Sequence, residues 1–132
     1  MSVLIQVKTK TLIGDIGKEL KVFFPSTSFQ LTSKQEDTRT YITVSYTDGA
    51  SKTRIRNITR QFAHSYPSGG ETIRVYIHIE RKMSDTIQRG LLSEMRSVWK
   101  IKGNLSLDEH FEPVGSTVEN YLQRIFDMRD FN

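Results

Sequence analysis

The chain has 132 residues, 36% of them hydrophobic and 26% charged, a formal net charge of +4 and no cysteine. That size and balance predict one folded domain with its own core. The missing cysteine removes disulfides, thiolate metal sites and a cysteine nucleophile. No run approaches the roughly 20 apolar residues that a membrane-spanning helix needs, and the first residues lack a secretion signal's charged-then-apolar order, so the expected compartment is the cytoplasm.

In chain order, residues 2–8, "SVLIQVK", read as a short first strand or an extended lead-in. From Thr11, the residues Ile13, Ile16, Leu20 and Phe23 form the stripe of an amphipathic helix that Pro25 ends. Residues 29–33 and 41–46 are β-rich and flank the polar "KQEDTR", which predicts an antiparallel hairpin with a mobile tip. In its second strand Ile42, Val44 and Tyr46 face one side, and Tyr41, Thr43 and Ser45 the other.

Asp48-Gly49 then supplies a tight turn and Ser51 or a neighbour a cap, ahead of a second helix with Ile55, Ile58 and Phe62 as its buried stripe. "SYPSGGE", residues 65–71, is a loop by composition. Residues 72–82, "TIRVYIHIERK", alternate between Ile73, Val75, Ile77 and Ile79 on one face and Arg74, Tyr76, His78, Glu80 and Lys82 on the other. That is a strand with one wet face. Ser84 opens a third helix with the stripe Ile87, Leu91, Met95 and Val98, extended by Trp99. After the irregular "KGNLSLDEHFEPVGST", Val118, Tyr121, Leu122, Ile125 and Phe126 mark a last helix. The order (β)αββαβαα predicts a two-layer α+β fold, a small antiparallel sheet with helices on one face. All 132 residues form a single domain on this reading, with a core over 11–82 and a C-terminal helical addition over 84–132.

Charge is unevenly spread. Residues 1–83 carry +6 and residues 84–132 carry −2, so the first part is the one suited to a polyanion. Within it Lys52, Arg56 and Arg60 recur every four residues and share a face of the second helix, with Arg54 on the flank. Such a ridge can track phosphates, dock on an acidic protein, or simply be a solvated face. Tyr76 and His78, on the wet face of their strand, can stack on bases or be ordinary exposed residues. Trp99 and Met95 suit core filling, or an anchor at a partner interface.

"IGDIG", residues 13–17, has the I-G-x-x-G pattern of a KH-domain RNA clamp. The pattern fails on chemistry, because Asp15 would face the phosphates, and on spacing, because residues 9–13 are too few for the helix that should precede the clamp. Gly14 and Gly17 then sit inside one helix, where the missing side chain could admit a neighbouring element. Catalytic motifs are missing: the sequence has no G-x-S-x-G, P-loop or H-E-x-x-H, and Asp108, Glu109 and His110 fall in a loop without a spacing that builds a metal shell. No catalytic residue, cofactor or metal is expected.

Residues 18–62 carry a more specific pattern. "KELKVFFPSTSFQL", "YITVSYTDG" and "SKTRIRNITRQF" resemble the core of the family called large polyvalent protein associated domain 29, over residues 11–66. Leu20, Lys21, Phe24, Pro25, Phe29, Val44, Thr47, Asp48, Gly49 and Phe62 fill the family's positions, with Tyr46 where tryptophan is common and Ala50 where proline often follows. The resemblance implies an origin in phages and other mobile elements, no catalytic residues, and a part in blunting host defences. It points to a non-enzymatic inhibitor, anti-CRISPR-like or antirestriction, that binds a surface of a host defence complex such as a CRISPR effector or nuclease. The alternative is a small accessory protein that binds DNA or RNA through Lys52, Arg54, Arg56, Arg60 and Tyr76. No membrane partner is expected, and the setting would be the host cytoplasm.

Overall fold

A computed structural model describes residues 3–68 and 70–131. Its elements are α1 (Val3–Phe23), β1 (Gln30–Glu36), β2 (Arg39–Thr47), α2 (Lys52–Thr59), β3 (Ser65–Ser68), β4 (Glu71–Lys82), α3 (Asp85–Val98), β5 (His110–Phe111), β6 (Ser116–Thr117) and α4 (Val118–Met128). The α+β class expected from the sequence is the one observed. The sheet, however, is mixed. Its order is β1-β2-β4-β3, with β2 and β4 parallel and the two outer pairings antiparallel. Parallel neighbours need a crossover rather than a tight hairpin, and α2 with β3 provides it.

The expected first strand is the opening of α1 instead, apart from Ser2, which lies outside the described residues. Its β-branched residues favour a strand locally, but tertiary packing overrides so weak a preference. Thr9, Leu12, Ile16 and Leu20 are buried at helical spacing, and the Thr9 hydroxyl accepts a hydrogen bond from Gln35 Nε2 of β1 at 2.8 Å. The expected stripe holds at Ile16 and Leu20 and departs by one residue at its two ends: Leu12 is buried while Ile13 is only partly covered, and Phe24 enters the core while Phe23 is exposed. Gly14 and Gly17 lie within α1, and a Cβ on either would meet nothing within 4 Å. No element approaches through them.

Two loops are shorter than expected. β1 and β2 pair up to Glu36 and Arg39, leaving a two-residue turn in which Asp37 takes φ 58° rather than a long mobile tip. The stretch expected as a loop after α2 contains β3, paired with β4 from Ser65 opposite Arg74 to Ser68 opposite Glu71; Gly69 lies outside the described residues. Pro67 is tolerated there because β3 is an edge strand.

The main core lies between the helices and the inner face of the sheet. Ile16 and Leu20 of α1 and Ile55 of α2 meet Ile42, Val44, Ile73, Val75 and Ile79. A second cluster joins Leu91 and Met95 of α3 to Val118, Leu122 and Phe126 of α4. Both helices have side-chain caps: Ser84 Oγ accepts from Ile87 N and Thr117 Oγ1 from Asn120 N, each at 3.2 Å. Met95 fills this core, whereas Trp99 is 41% exposed and meets Phe111 edge-on.

Arg81, at the end of the inner face of β4, ties the two clusters together. Its guanidinium donates to the carbonyls of Asp48, Gly49, Phe126 and Arg129 at 2.7 to 2.9 Å and lies 3.8 Å from the Phe126 ring centre. Burial lowers its pKa, opposed by Tyr46 and then by the carboxylates of Asp127, Asp130 and Asp48. Residues 129–131 fold back over the turn after β2: Phe131 N donates to Gly49 O at 2.6 Å, and Asp130 accepts from Ser51 N at 2.8 Å. Ser51 precedes α2 without a side-chain cap of its own.

Candidate nucleic-acid interface

The structure separates the residues singled out in the sequence. Lys52, Arg56 and Arg60 are exposed on the helix layer, and none has an ion-pair partner among the described residues. Arg54 is engaged: its guanidinium meets Asp130 at 3.2 Å and lies 5.3 Å from the Phe24 ring centre. Tyr76 projects from the opposite face of the sheet, so the sheet stands between it and the ridge. One flat partner surface cannot cover both.

Among the described residues no helix covers that opposite face, and the β2–β4 register turns it into rows of matched side chains. Arg39 lies beside Arg74, Tyr41 beside Tyr76, Thr43 beside His78, Ser45 beside Glu80, and Thr47 beside Lys82. Outward-facing rows sit two residues apart, roughly 6.6 Å. The two tyrosine rings stack with centroids 5.3 Å apart and planes 18° from parallel, the offset arrangement that aromatic quadrupoles prefer. Tyr76 is 43% exposed.

The adjoining row is electrostatically costly. Two guanidinium groups side by side repel, and neither Arg39 nor Arg74 has an ion-pair partner among the described residues. Glu36 shares the row on β1, but its carboxylate meets Lys34 at 3.2 Å. At the other end of the face Glu80 lies 3.6 Å from His78, both exposed. The face thus runs from cationic through aromatic to a mixed end, where Glu80 is followed by Lys82. Alternation within each strand marks Tyr41, Arg74 and Tyr76 as outward-facing. Their meeting with Arg39 depends on a parallel pairing that alternation cannot reveal, and that is why Arg39 and Tyr41 escape a sequence reading.

Beyond this mixed end lies a groove of about 790 Å³ at the carboxyl ends of the parallel strands. Its lining includes Thr27, Ser28, Ser45 and Thr47, the charged Asp48, Glu80 and Lys82, and the apolar or aromatic Phe29, Tyr46, Ile87 and Phe131. The Tyr46 hydroxyl donates to Ala50 O at 2.7 Å, and burial pushes its pKa up to about 12. Asp48 and Gly49 have φ values of 55° and 59°. Asp48 Oδ1 accepts from Ser84 N at 2.9 Å, and a Cβ on Gly49 would come within 3.0 Å of Thr27 Oγ1. The Thr-Asp-Gly element is therefore a structural turn, tied down on both sides. His110 and Glu112 form an exposed pair at 3.3 Å, away from this face. Among the described residues no group of three or more His, Asp or Glu is placed to hold a metal ion.

The protein is a two-layer α+β fold whose outer sheet face is cationic at one end and aromatic beside it. The chain is a member of the family of large polyvalent protein associated domain 29, whose model matches residues 7–99. That match runs past β4 to the end of α3, further than the pattern over residues 11–66, and leaves α4 outside. The family is one of polyvalent proteins of mobile elements. No curated protein and no solved structure matches the chain. Among the described residues, no helix is long and apolar enough to cross a membrane.

Proposed function

We propose that this protein is a non-enzymatic binding protein of mobile elements that contacts nucleic acid through its open sheet face, in the cytoplasm of a host whose nucleic-acid-directed defence it obstructs. The observation that carries the reading is the Arg39–Arg74 pair, held side by side by the sheet register without an ion-pair partner among the described residues. Like charges on adjacent strands are unfavourable in the free protein and favourable once a phosphate bridges them. The family supplies the mobile-element setting. Obstruction, of the anti-CRISPR or antirestriction kind, follows if the bound strand is a guide or target that a defence complex needs.

Fluorescence anisotropy with labelled RNA and DNA at several salt concentrations tests the reading. Binding should weaken steeply as salt rises, and Arg39→Glu with Arg74→Glu should abolish it. A chain that binds neither polymer at low salt would end this interpretation.

A second reading rests on the ridge. Lys52, Arg56 and Arg60 are exposed, have no ion-pair partner among the described residues and lie across the sheet from the aromatic face, an arrangement suited to an acidic protein groove. Tagged protein expressed in a native host should capture a CRISPR effector or nuclease, and reversing the three charges should release it. Capture unchanged by the reversal would discard this second interface.

A further inference from the structure

We infer that the open face takes single-stranded rather than duplex nucleic acid, with one base stacked on the free face of Tyr76 and its phosphate over Arg39 and Arg74. The inference rests on the nucleic-acid reading above and specifies the form of that ligand.

The argument starts from the pairing of the sheet. β3 begins opposite Arg74, so among the described residues no strand lies beside Tyr76 on the side away from β2. Tyr41 covers the inner face of the Tyr76 ring, at 5.3 Å and 18°, and holds it in place. The outer face remains available, and the residue's 43% exposure fits that placement. A base laid there extends the stack from two rings to three.

A base within a duplex has both faces covered by its neighbours, so only an unpaired strand can present one to the ring without first being unstacked. The cationic row adjoins the tyrosine row at roughly 6.6 Å, close enough for the phosphate of the stacked nucleotide to meet both guanidinium groups. On the other side Thr43 and His78 offer hydrogen-bonding groups and Glu80 a carboxylate. Glu80 and Lys82 offset each other at that end, whereas Arg39 and Arg74 add, so the backbone of the strand stays at the arginine end of the face. Stacking and phosphate contact are indifferent to sequence and to the sugar.

The test uses the full chain and three labelled probes in fluorescence anisotropy: a 12-nucleotide oligouridylate, the corresponding oligothymidylate and a DNA duplex of the same length. Both single strands should bind at least ten times more tightly than the duplex and within a few-fold of each other. Tyr76→Ala should weaken both roughly 5- to 150-fold, the range expected for one lost stacking contact. Tyr76→Trp should retain binding. Tyr76 is an exposed side chain, and an unchanged melting curve for each variant keeps folding out of the comparison.

Equal affinity for duplex and single strand overturns the inference. So does full binding by Tyr76→Ala, and in either case continued loss with Arg39→Glu and Arg74→Glu leaves the broader nucleic-acid reading standing. A preference of a hundredfold for one sugar also contradicts it, since neither proposed contact reads the 2′ position. Failure to bind any of the three probes at low salt removes the broader reading as well.

Discussion

Replacing Arg81 with methionine should detach the C-terminal unit from the core. Its guanidinium makes four hydrogen bonds to main-chain carbonyls, two on the turn after β2 and two at the end of α4, three of them partly buried. Hydrogen bonds to a charged group contribute about 1.5 to 3 kcal/mol each in mutational series. The sum overstates the effect, because one desolvated cation serves all four and its own burial opposes them. Methionine retains packing on Phe126 but leaves the carbonyls without their donor, for a net loss of about 3 to 5 kcal/mol. For a chain of this length that lowers Tm by roughly 10 to 20 °C. Lysine should recover less than half, since its ammonium is a single point that cannot span four acceptors. Urea unfolding should be followed both by far-ultraviolet circular dichroism and by the fluorescence of Trp99, which reports on the α3–α4 unit. In Arg81→Met the Trp99 transition should come first, and the two probes should no longer coincide. A loss under about 1 kcal/mol with coincident transitions would refute the clasp.

Three further outcomes follow from particular backbone and burial features. Gly14→Ala and Gly17→Ala meet nothing in α1 and should each raise stability by about 0.5 to 1 kcal/mol in thermal denaturation; a loss would mean that the glycines have a close partner. Gly49→Ala, at φ 59° with Thr27 Oγ1 3.0 Å away, should instead lower stability by about 1 to 3 kcal/mol, and a neutral result would contradict the strained turn. Tyr46 is raised from 10.0 to about 12 by burial, so its contribution is complete below pH 10 and is lost as pH rises through 12. Stability should therefore fall across that window by up to roughly 3 kcal/mol more in the native chain than in Tyr46→Phe, and equal slopes for the two would show that the hydroxyl is not protected.

Periodicity made the helices and the central strands legible because burial imposes it directly. Ile42 and Val44, Ile73 and Val75, and Leu91 and Met95 all lie inside as their spacing implies. It fails where tertiary context decides. The β-branched run at the start of α1 looks like a strand in isolation, and only packing of Thr9, Leu12 and Ile16 makes it helical. β3 carries Pro67 and too few residues to show alternation, so it reads as a loop. The parallel pairing of β2 with β4 leaves no local trace, since inward and outward residues alternate alike in either orientation. The site was half visible for the same reason. Tyr76 stands out as an exposed aromatic, but Arg39 and Tyr41 acquire meaning only once the register sets them beside Arg74 and Tyr76.

Photocrosslinking most directly tests whether the sheet face is the working surface. A single strand carrying one 4-thiouridine, irradiated with the native chain and digested, should yield adducts on peptides containing Tyr76 and Tyr41, competed away by unlabelled strand but not by duplex. Adducts confined to the Lys52–Arg60 segment, or spread evenly over the surface, would contradict the account.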